Sequence, residues 1–370
     1  MVRFLKRIYH GVRNRINRMI SGRREKRNTD ICQLMKKVMT KECSYVESDE
    51  VIDVIVPIYN GYDYLVRLFP TLNKTDLKSQ IYLVDDCSTD ERVIQLEKEF
   101  VQQTPNAVLM KNKENYGFVK SVNCALLNSK NHVALVNTDT ELPDHWLERL
   151  MAPILNDKKV GSSTPYTNSG TIFSFPNFCY NNSIYRGMSV EQIDEIFQYI
   201  CPRYSKAPTG VGFCMGMNKE AIRQVGGLDY ETFSKGFGEE NDWCQRAIRK
   251  GFSNVQVENL FVYHKHGGSF ASEEKERLIR HNLAIVNKRY PNYERDVRRF
   301  IERDPNREIR QLVQMLLDMN CPQAKSILYF DHSLGGGATA YLDRQIKEQL
   351  QEGNACSVIR YHITEQRYGL

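Results

Sequence analysis

The chain has 370 residues, of which 41% are hydrophobic and 26% charged, and its formal net charge is +6. Such a length buries a sizeable core and accommodates two domains, whereas no apolar run approaches the roughly 18–20 residues that cross a bilayer and none reads as a signal-peptide core. A membrane-spanning or secreted class is excluded on that ground and a cytoplasmic chain is expected; ten cysteines without a CxxC pair point to reduced thiols rather than disulfides or a zinc site.

Residues 1–28 carry ten Lys or Arg against the single acid Glu25, which leaves the remainder slightly acidic. Phe4, Leu5, Ile8, Tyr9, Val12, Ile16, Met19 and Ile20 form one stripe at helical spacing, so a basic amphipathic helix lying on an anionic membrane surface is predicted. Its rival is a helix packed on the protein's own body or on a partner; no recognition motif supports nucleic-acid binding. Residues 29–50 read as a short helix and an acidic linker. Val51–Val56 is a strand stopped by Pro57, and Tyr64–Leu72 a helix. The alternation continues through Ile81–Val84, Arg92–Gln103, Ala107–Met110, Phe118–Leu127 and Val133–Val136, which predicts a mostly parallel sheet with right-handed crossovers. A helix follows over 143–156, then little regular structure over 161–182. Ser189–Tyr199 is a helix, Gly210–Met217 a strand, and Asn218 caps a helix over Lys219–Val225. Asp242–Lys250 is a helix closed by Gly251, Val255–Val257 and Phe261–Tyr263 are strands, and Glu273–Arg289 and Tyr293–Asp318 are long helices. A single βαβ pattern ends the chain: Ser326–Phe330, a loop at Gly335-Gly336-Gly337, a helix over Ala338–Gln351, and Ser357–Tyr361. It is either an edge addition to the main sheet or, as we read it, the start of a second nucleotide-binding-type domain.

The chemistry lies where apolar strands run into acids. Ile81–Val84 leads to Asp85-Asp86, Val133–Val136 to Asn137-Thr138-Asp139-Thr140-Glu141, and Gly238-Glu239-Glu240-Asn241-Asp242-Trp243 opens a helix. Ligands bind beyond the carboxyl ends of strands in such sheets. Carboxylates gathered there repel one another unless a cation or a proton sits among them. Asp139 suits a hard cation, Mg²⁺ or Mn²⁺, and a neutral imidazole at His264 would complete the shell and favour Mn²⁺. Another carboxylate is then free to act as a base beside a departing diphosphate. Hydrolases use the same toolkit, so the spacing alone does not choose the reaction. Asp85 and Asp90 also read as turn caps, and Trp243 as a core residue.

In order, Val54-Ile-Val-Pro-Ile-Tyr-Asn-Gly61, Val84-Asp-Asp-Cys-Ser-Thr-Asp90, Asn115-Tyr-Gly-Phe118 with Asn123, Asn137–Glu141, Gly226-Gly-Leu-Asp229, Gly238–Cys244 and Tyr263-His-Lys-His-Gly-Gly-Ser269 resemble the family-2 inverting glycosyltransferases. The resemblance covers about residues 51–290, and any one motif alone is weak. It looks most like the bacterial, rhamnosyltransferase-like branch that builds surface polysaccharides, with Ser163–Asn168 and Ile172–Pro176 in support. It implies a GT-A fold, that is, an α/β Rossmann-like, mostly parallel central sheet flanked by helices. Pro57, Tyr59, Asn60, Asp86, Asn115, Gly117, Asn137 and Asp139 would bind the nucleotide-sugar, a UDP- or dTDP-sugar, with Asp86 on the base. Asp139 and His264 would hold the metal, Asn137 standing where the family has its first acid. Glu240 would be the catalytic base, where the family usually has Asp, with Asp242 as its runner-up. Glu239, Trp243 and Gly212 would line the acceptor or donor-sugar pocket, and the role of His266 stays open. The implied activity is metal-dependent, inverting transfer to a lipid-linked O-antigen or capsule glycan at the inner face of the cytoplasmic membrane. An inactive scaffold docking a partner synthase, or a nucleotidyltransferase, are the alternatives; Pro57–Tyr64 lacks the glycine- and lysine-rich loop of the latter.

The expected organisation is therefore a basic helix at 1–28, a linker at 29–50, the GT-A domain at 51–290, a helical extension at 291–324, and an incomplete βαβ unit at 325–370. That last unit, with Asp331-His-Ser-Leu-Gly-Gly-Gly337, is similar to the first glycine-rich loop of GT-B glycosyltransferases.

Overall fold

A computed structural model of the chain describes residues 40, 43–200, 202–234, 236–265, 272–321, 325–364 and 367–369. The basic segment 1–28, the linker's first half and His266 lie outside the described residues. β1 (Ile52–Ile58), α1 (Tyr62–Leu72), β2 (Ser79–Asp85), α2 (Glu91–Gln103), β3 (Ala107–Lys111), α3 (Phe118–Leu126) and β4 (His132–Val136) alternate as the apolar pattern predicts. A two-residue β5 (Thr140–Glu141) precedes α4 (Trp146–Asn156), β6 (Val160–Tyr166) and α5 (Val190–Gln198). Then come β7 (Tyr204–Ala207), β8 (Cys214–Met217), α6 (Lys219–Val225), α7 (Tyr230–Phe233), α8 (Glu239–Arg249), β9 (Ser253–Phe261) and β10 (Tyr263–His264). The chain continues through α9 (Ser272–Arg289), α10 (Tyr293–Arg303), α11 (Arg307–Met319), β11 (Ser326–His332), α12 (Gly337–Gln351), β12 (Ala355–His362) and β13 (Arg367–Gly369).

Eight strands form one sheet in the order 3-2-1-4-8-6-9-7. The half made of β3, β2, β1 and β4 is parallel throughout, and β6 pairs parallel with β9, while β8 and β7 run antiparallel to their neighbours. The chain is thus α/β with a mostly parallel central sheet. Strands covered on both faces read as continuous apolar runs, and β4 is buried end to end. Leu65, Leu68, Phe69, Trp146 and Leu150 pack on one face of the sheet, and Val119, Val122, Trp243 and Ala247 on the other. β1 does not stop at Pro57. Its pairing with β4 ends at Ile55, so the missing N–H of Pro57 falls where only β2 remains as a neighbour.

The irregular stretch expected over 161–182 is corrected over its first six residues, because β6 lies inside the sheet and every residue of it is buried. Its Gly-Ser-Ser-Thr-Pro run has no apolar signature. The hydroxyls are instead matched inside the core: Ser163 Oγ donates to Leu150 O (2.6 Å) and Ser162 Oγ to Asn254 Oδ1 (2.8 Å). The single helix expected over 293–318 is two, broken where Asp304 turns left-handed (φ +40°) beside Pro305. Gly227 answers to a close approach, since an added Cβ would lie 2.5 Å from Asn123 Oδ1. Asn123 clamps that turn by donating to Leu228 O and accepting from Leu228 N (2.8 and 2.9 Å).

At the chain's far end β11 and β12 pair in parallel across α12, and β13 adds antiparallel. Burial along β11 alternates between half-buried and exposed, no residue of α12 is buried, and Phe330, Leu334, Tyr341 and Leu350 are exposed. Among the described residues no helix is long and apolar enough to cross a membrane.

Glu97 on α2 is fully buried and neither carboxyl oxygen has a hydrogen-bond partner in the structure. Burial, then the Asp85 charge, push its pKa up to about 8. The folded state thus holds a proton that the unfolded chain releases in the ordinary glutamate range, and stability is lost as pH rises from that range through about 8. Glu97→Leu should therefore stabilise the protein by about 1–3 kcal/mol above pH 8 and by less at pH 5, read from thermal melts at both pH values.

Candidate active site

The parallel half of the sheet delivers its loops to one edge. Asp86 N donates to Ile58 O (2.7 Å), which joins the ends of β1 and β2. Asn60, left-handed at φ +53°, accepts at Oδ1 from Thr89 N and Asp90 N (2.9 and 3.0 Å), and its own N–H donates to Ser88 Oγ (2.9 Å). Pro57–Asn60 and Asp86–Asp90 therefore share one floor, above which the Tyr59 ring is exposed. Asp85 Oδ1 accepts from Ser88 N (2.8 Å) and shapes the turn.

Asp86 is buried, and its oxygens accept from Asn112 Nδ2 (2.8 Å), Tyr116 N (2.7 Å) and Gly117 N (2.8 Å). Three of the roughly four lone-pair sites of a carboxylate are thus spent on ordering the loop that holds Asn115 and Gly117. Asn115 Oδ1 also accepts from Gly117 N (3.2 Å). Gly117 has φ +78°, and a Cβ there would lie 3.2 Å from Ser234 O, so this loop abuts the segment leading into α8.

β5 and β10 pair antiparallel with Thr140 opposite His264, and this brings Asp139 to the histidine. His264 Nε2 lies 3.4 Å from Asp139 Oδ2, and His264 Nδ1 lies 3.0 Å from Ser169 O. A carbonyl only accepts, which assigns the proton to Nδ1. Nε2 is then the atom that meets the carboxylate, and two lone pairs face each other unless a cation or a proton lies between them. The Phe213 ring stacks on the imidazole (5.1 Å, 16°), and Asn168 brackets its backbone through His264 N and O. Asn137 Oδ1 is buried without a partner in the structure. A carboxylate, an imidazole nitrogen and an amide oxygen together fit a divalent ion of the Mg²⁺ or Mn²⁺ kind, the nitrogen favouring Mn²⁺.

A short strut links this pair to α8. Asn137 N donates to Phe213 O (2.8 Å), Gly210 N donates to Cys244 Sγ (3.1 Å), and Thr209 Oγ1 donates to Asn241 Oδ1 (2.8 Å). Gly212 sits on the same strut. From Thr209 to Phe213 the chain spans at most about 14 Å, so the first turn of α8 and the Asp139–His264 pair lie at opposite ends of one loop. In that turn Glu239 is buried and Glu240 is half-buried. Burial, then the neighbouring Glu240 charge, hold Glu239 well above the ordinary carboxyl value. Burial also raises Glu240, opposed by backbone N–H groups that include Gly238.

Two expected site residues stand elsewhere. Asp242 lies two residues past Glu240, about 200° around a helix of 3.6 residues per turn. Its Oδ1 accepts from Arg289 Nη1 (2.9 Å) and Tyr290 Oη (2.8 Å), and its Oδ2 from Arg246 Nε (2.7 Å). That carboxylate is taken up in an ion-pair network on the helix's outer side and is not placed to act as a base. Trp243 is fully buried in the core, its Nε1 donating to Gly226 O (2.9 Å), so it lines no sugar pocket. Sequence reasoning missed Asn112, Ser169, Thr209 and Phe213, which carry no motif.

A second His-carboxylate grouping brings Asp76, on the loop that enters β2, to His145 and Glu148 at the start of α4. His145 Nδ1 meets Asp76 Oδ2 (3.3 Å) and Glu148 Oε1 (3.5 Å), contacts that one N–H explains.

Residues 53–226 match the family described as Glycosyl transferase family 2. These residues are a glycosyltransferase family 2 domain. The glycosyltransferase GlyA of Streptococcus pneumoniae serotype 4 is 30% identical over 149 residues, which is 38% of this chain and 21% of that protein's length. The mannosyltransferase PcManGT of Pyrobaculum calidifontis, solved in complex with GDP-Man and Mn²⁺, superposes with a TM-score of 0.50 at 13% identity over 86% of each chain, and shows the shared GT-A fold. GalNAc-T7, solved with UDP, GalNAc and Mn²⁺, has a TM-score of 0.47 at 15% identity, over 60% of this chain and 44% of its own.

Mn²⁺ should protect this family-2 domain against heat in a concentration-dependent way. Asp139→Ala should remove that protection and weaken Mn²⁺ binding by about 10-fold or more, measured by titration against thermal melting and by calorimetry.

Proposed function

We propose that the chain is a metal-dependent inverting glycosyltransferase, moving a sugar from a UDP- or dTDP-sugar to a hydroxyl of a lipid-linked surface glycan. The observation that carries this reading is Asp139 Oδ2 facing Nε2 of His264 across 3.4 Å, one loop away from the carboxyls of Glu239 and Glu240. Pro57–Asn60, Asp86 and the Asn115–Gly117 loop supply a floor of backbone and side-chain polar groups for the nucleotide. The remaining lone pair of Asp86 is available to the base.

Glu240 takes the proton of the acceptor hydroxyl. The acceptor oxygen forms a bond to the anomeric carbon as that carbon's bond to the diphosphate oxygen breaks. The electron pair of the broken bond leaves with the nucleoside diphosphate. One displacement inverts the anomeric centre, through a transition state of oxocarbenium character. Burial holds Glu240 above the usual carboxyl range, which makes it a stronger base near neutral pH. A divalent ion, when bound, would neutralise charge on the departing diphosphate. Asp139, His264 and Asn137 would hold it. A scaffold without activity has no use for Asp86, Asp139 and Glu240 together.

The basic stripe of residues 1–28 supports an acceptor presented at an anionic membrane surface, at the inner face of the cytoplasmic membrane. The βαβ unit from residue 325, parallel, with glycines at its helix start and with Phe330, Leu334, Tyr341 and Leu350 exposed, supports the beginning of a GT-B-like domain.

Glu240→Gln should retain nucleotide-sugar binding and lose transfer by about 10²–10⁴-fold, whereas Asp242→Asn should lower Tm by several degrees with transfer per folded molecule changed far less. Transfer assays over a panel of nucleotide-sugars, beside melts, check both; a dead Asp242→Asn beside an active Glu240→Gln would move the base. Removal of residues 1–28 should release the protein from phosphatidylserine liposomes at physiological salt, and retained flotation would exclude the membrane role.

A further inference from the structure

We propose that Asn282, on α9, is a positioning residue for the general base, acting through the peptide that joins Phe237 to Gly238. The inference rests on Glu240 being that base. Asn282 lies outside the matched residues 53–226 and outside every motif of the sequence.

Asn282 is 2% exposed. Its Nδ2 donates to Gly236 O (2.9 Å) and to Phe237 O (2.8 Å). Both carbonyls belong to the turn that delivers α8, where Gly236, Phe237 and Gly238 stand at φ +85°, +65° and +119°. A left-handed non-glycine residue such as Phe237 costs roughly 1–2 kcal/mol, so something must hold the turn. The geometry names the consequence. A trans peptide is planar, with its C=O and N–H pointing in opposite directions. Tying Phe237 O to Asn282 therefore turns Gly238 N–H the other way, where it meets Glu240 Oε2 at 3.4 Å. An amide whose oxygen accepts a hydrogen bond is also a stronger donor at its N–H. The line runs from Asn282 Nδ2 through one peptide to the carboxylate of the base.

The ionisable groups facing Glu240 are Glu239 from its own turn, Cys244 one turn further along α8, and Tyr293 from α10. Burial pushes the Cys244 thiol up to about 11 and the Tyr293 phenol above its usual value, so neither titrates near neutrality. The carboxyl pair owns the acidic limb of the rate profile. The Gly238 N–H favours the ionised form of Glu240, and its loss makes that form harder to reach.

The test uses the full chain with a nucleotide-sugar donor that supports transfer, and follows kcat and donor KM against pH. Asn282→Ala and the isosteric Asn282→Asp should move the acidic limb of kcat to higher pH and lower kcat about 10-fold or more on that limb, with donor KM unchanged. A lowered Tm with an unmoved limb and unchanged kcat would reduce Asn282 to a packing residue and overturn the inference. If Asn282→Ala does not fold, the N282A/F237G double variant, relieved of left-handed strain, gives the same reading. An inactive Glu240→Gln beside an unmoved limb overturns this inference alone; an active Glu240→Gln overturns the base assignment and this inference with it.

Discussion

The site depends on a ladder of two residues per strand. β5 and β10 pair only through Thr140, Glu141, Tyr263 and His264, with Lys265 N donating to Asp139 O (2.8 Å) as the next rung. Asp139 leaves the sheet after β4 and His264 leaves it after β9, strands separated by β8 and β6. Nothing in either loop alone would place the carboxylate and the imidazole together. The nearly fully buried β9 and the fully buried β4 fix where the two loops start, and the short ladder closes the remaining gap.

The same helix serves two purposes on two sides. At the amino end of α8, Glu239 and Glu240 share a buried environment beside the Thr209–Phe213 strut. On the outer side, Asp242 gathers Arg246, Arg289 and Tyr290 and so binds α8 to α9. Trp243 anchors a third side in the core. A short acidic run in sequence is thus divided by helical geometry into carboxyls at the head of the helix and a carboxylate that holds helices together. A string of letters shows the acids and not the angle between them.

That division explains what was legible. The parallel half of the sheet could be read because strands buried on both faces have to be apolar, and the loop acids stand out against them. β6 could not be read, since its core position is satisfied by Ser162 and Ser163 through hydrogen bonds rather than by apolar side chains. The split at Asp304 was missed because the apolar period carries on past Pro305 from one helix to the next. Of the site, Asp139 and His264 were visible through the order of their motifs. Ser169, Phe213 and Asn282 were invisible, because each works through a backbone carbonyl, a ring face or a side-chain amide that only the folded chain brings near.

His264 is constrained on every side that matters. Ser169 O holds one ring nitrogen, the Phe213 ring lies against its face at 16°, and Asn168 grips its backbone from both ends. Rotation of the imidazole would break the first and collide with the second. The freedom of this side chain is therefore surrendered during folding. An ion bound there would find the same nitrogen aimed along the same line, so the ring should differ little between the free and the occupied protein.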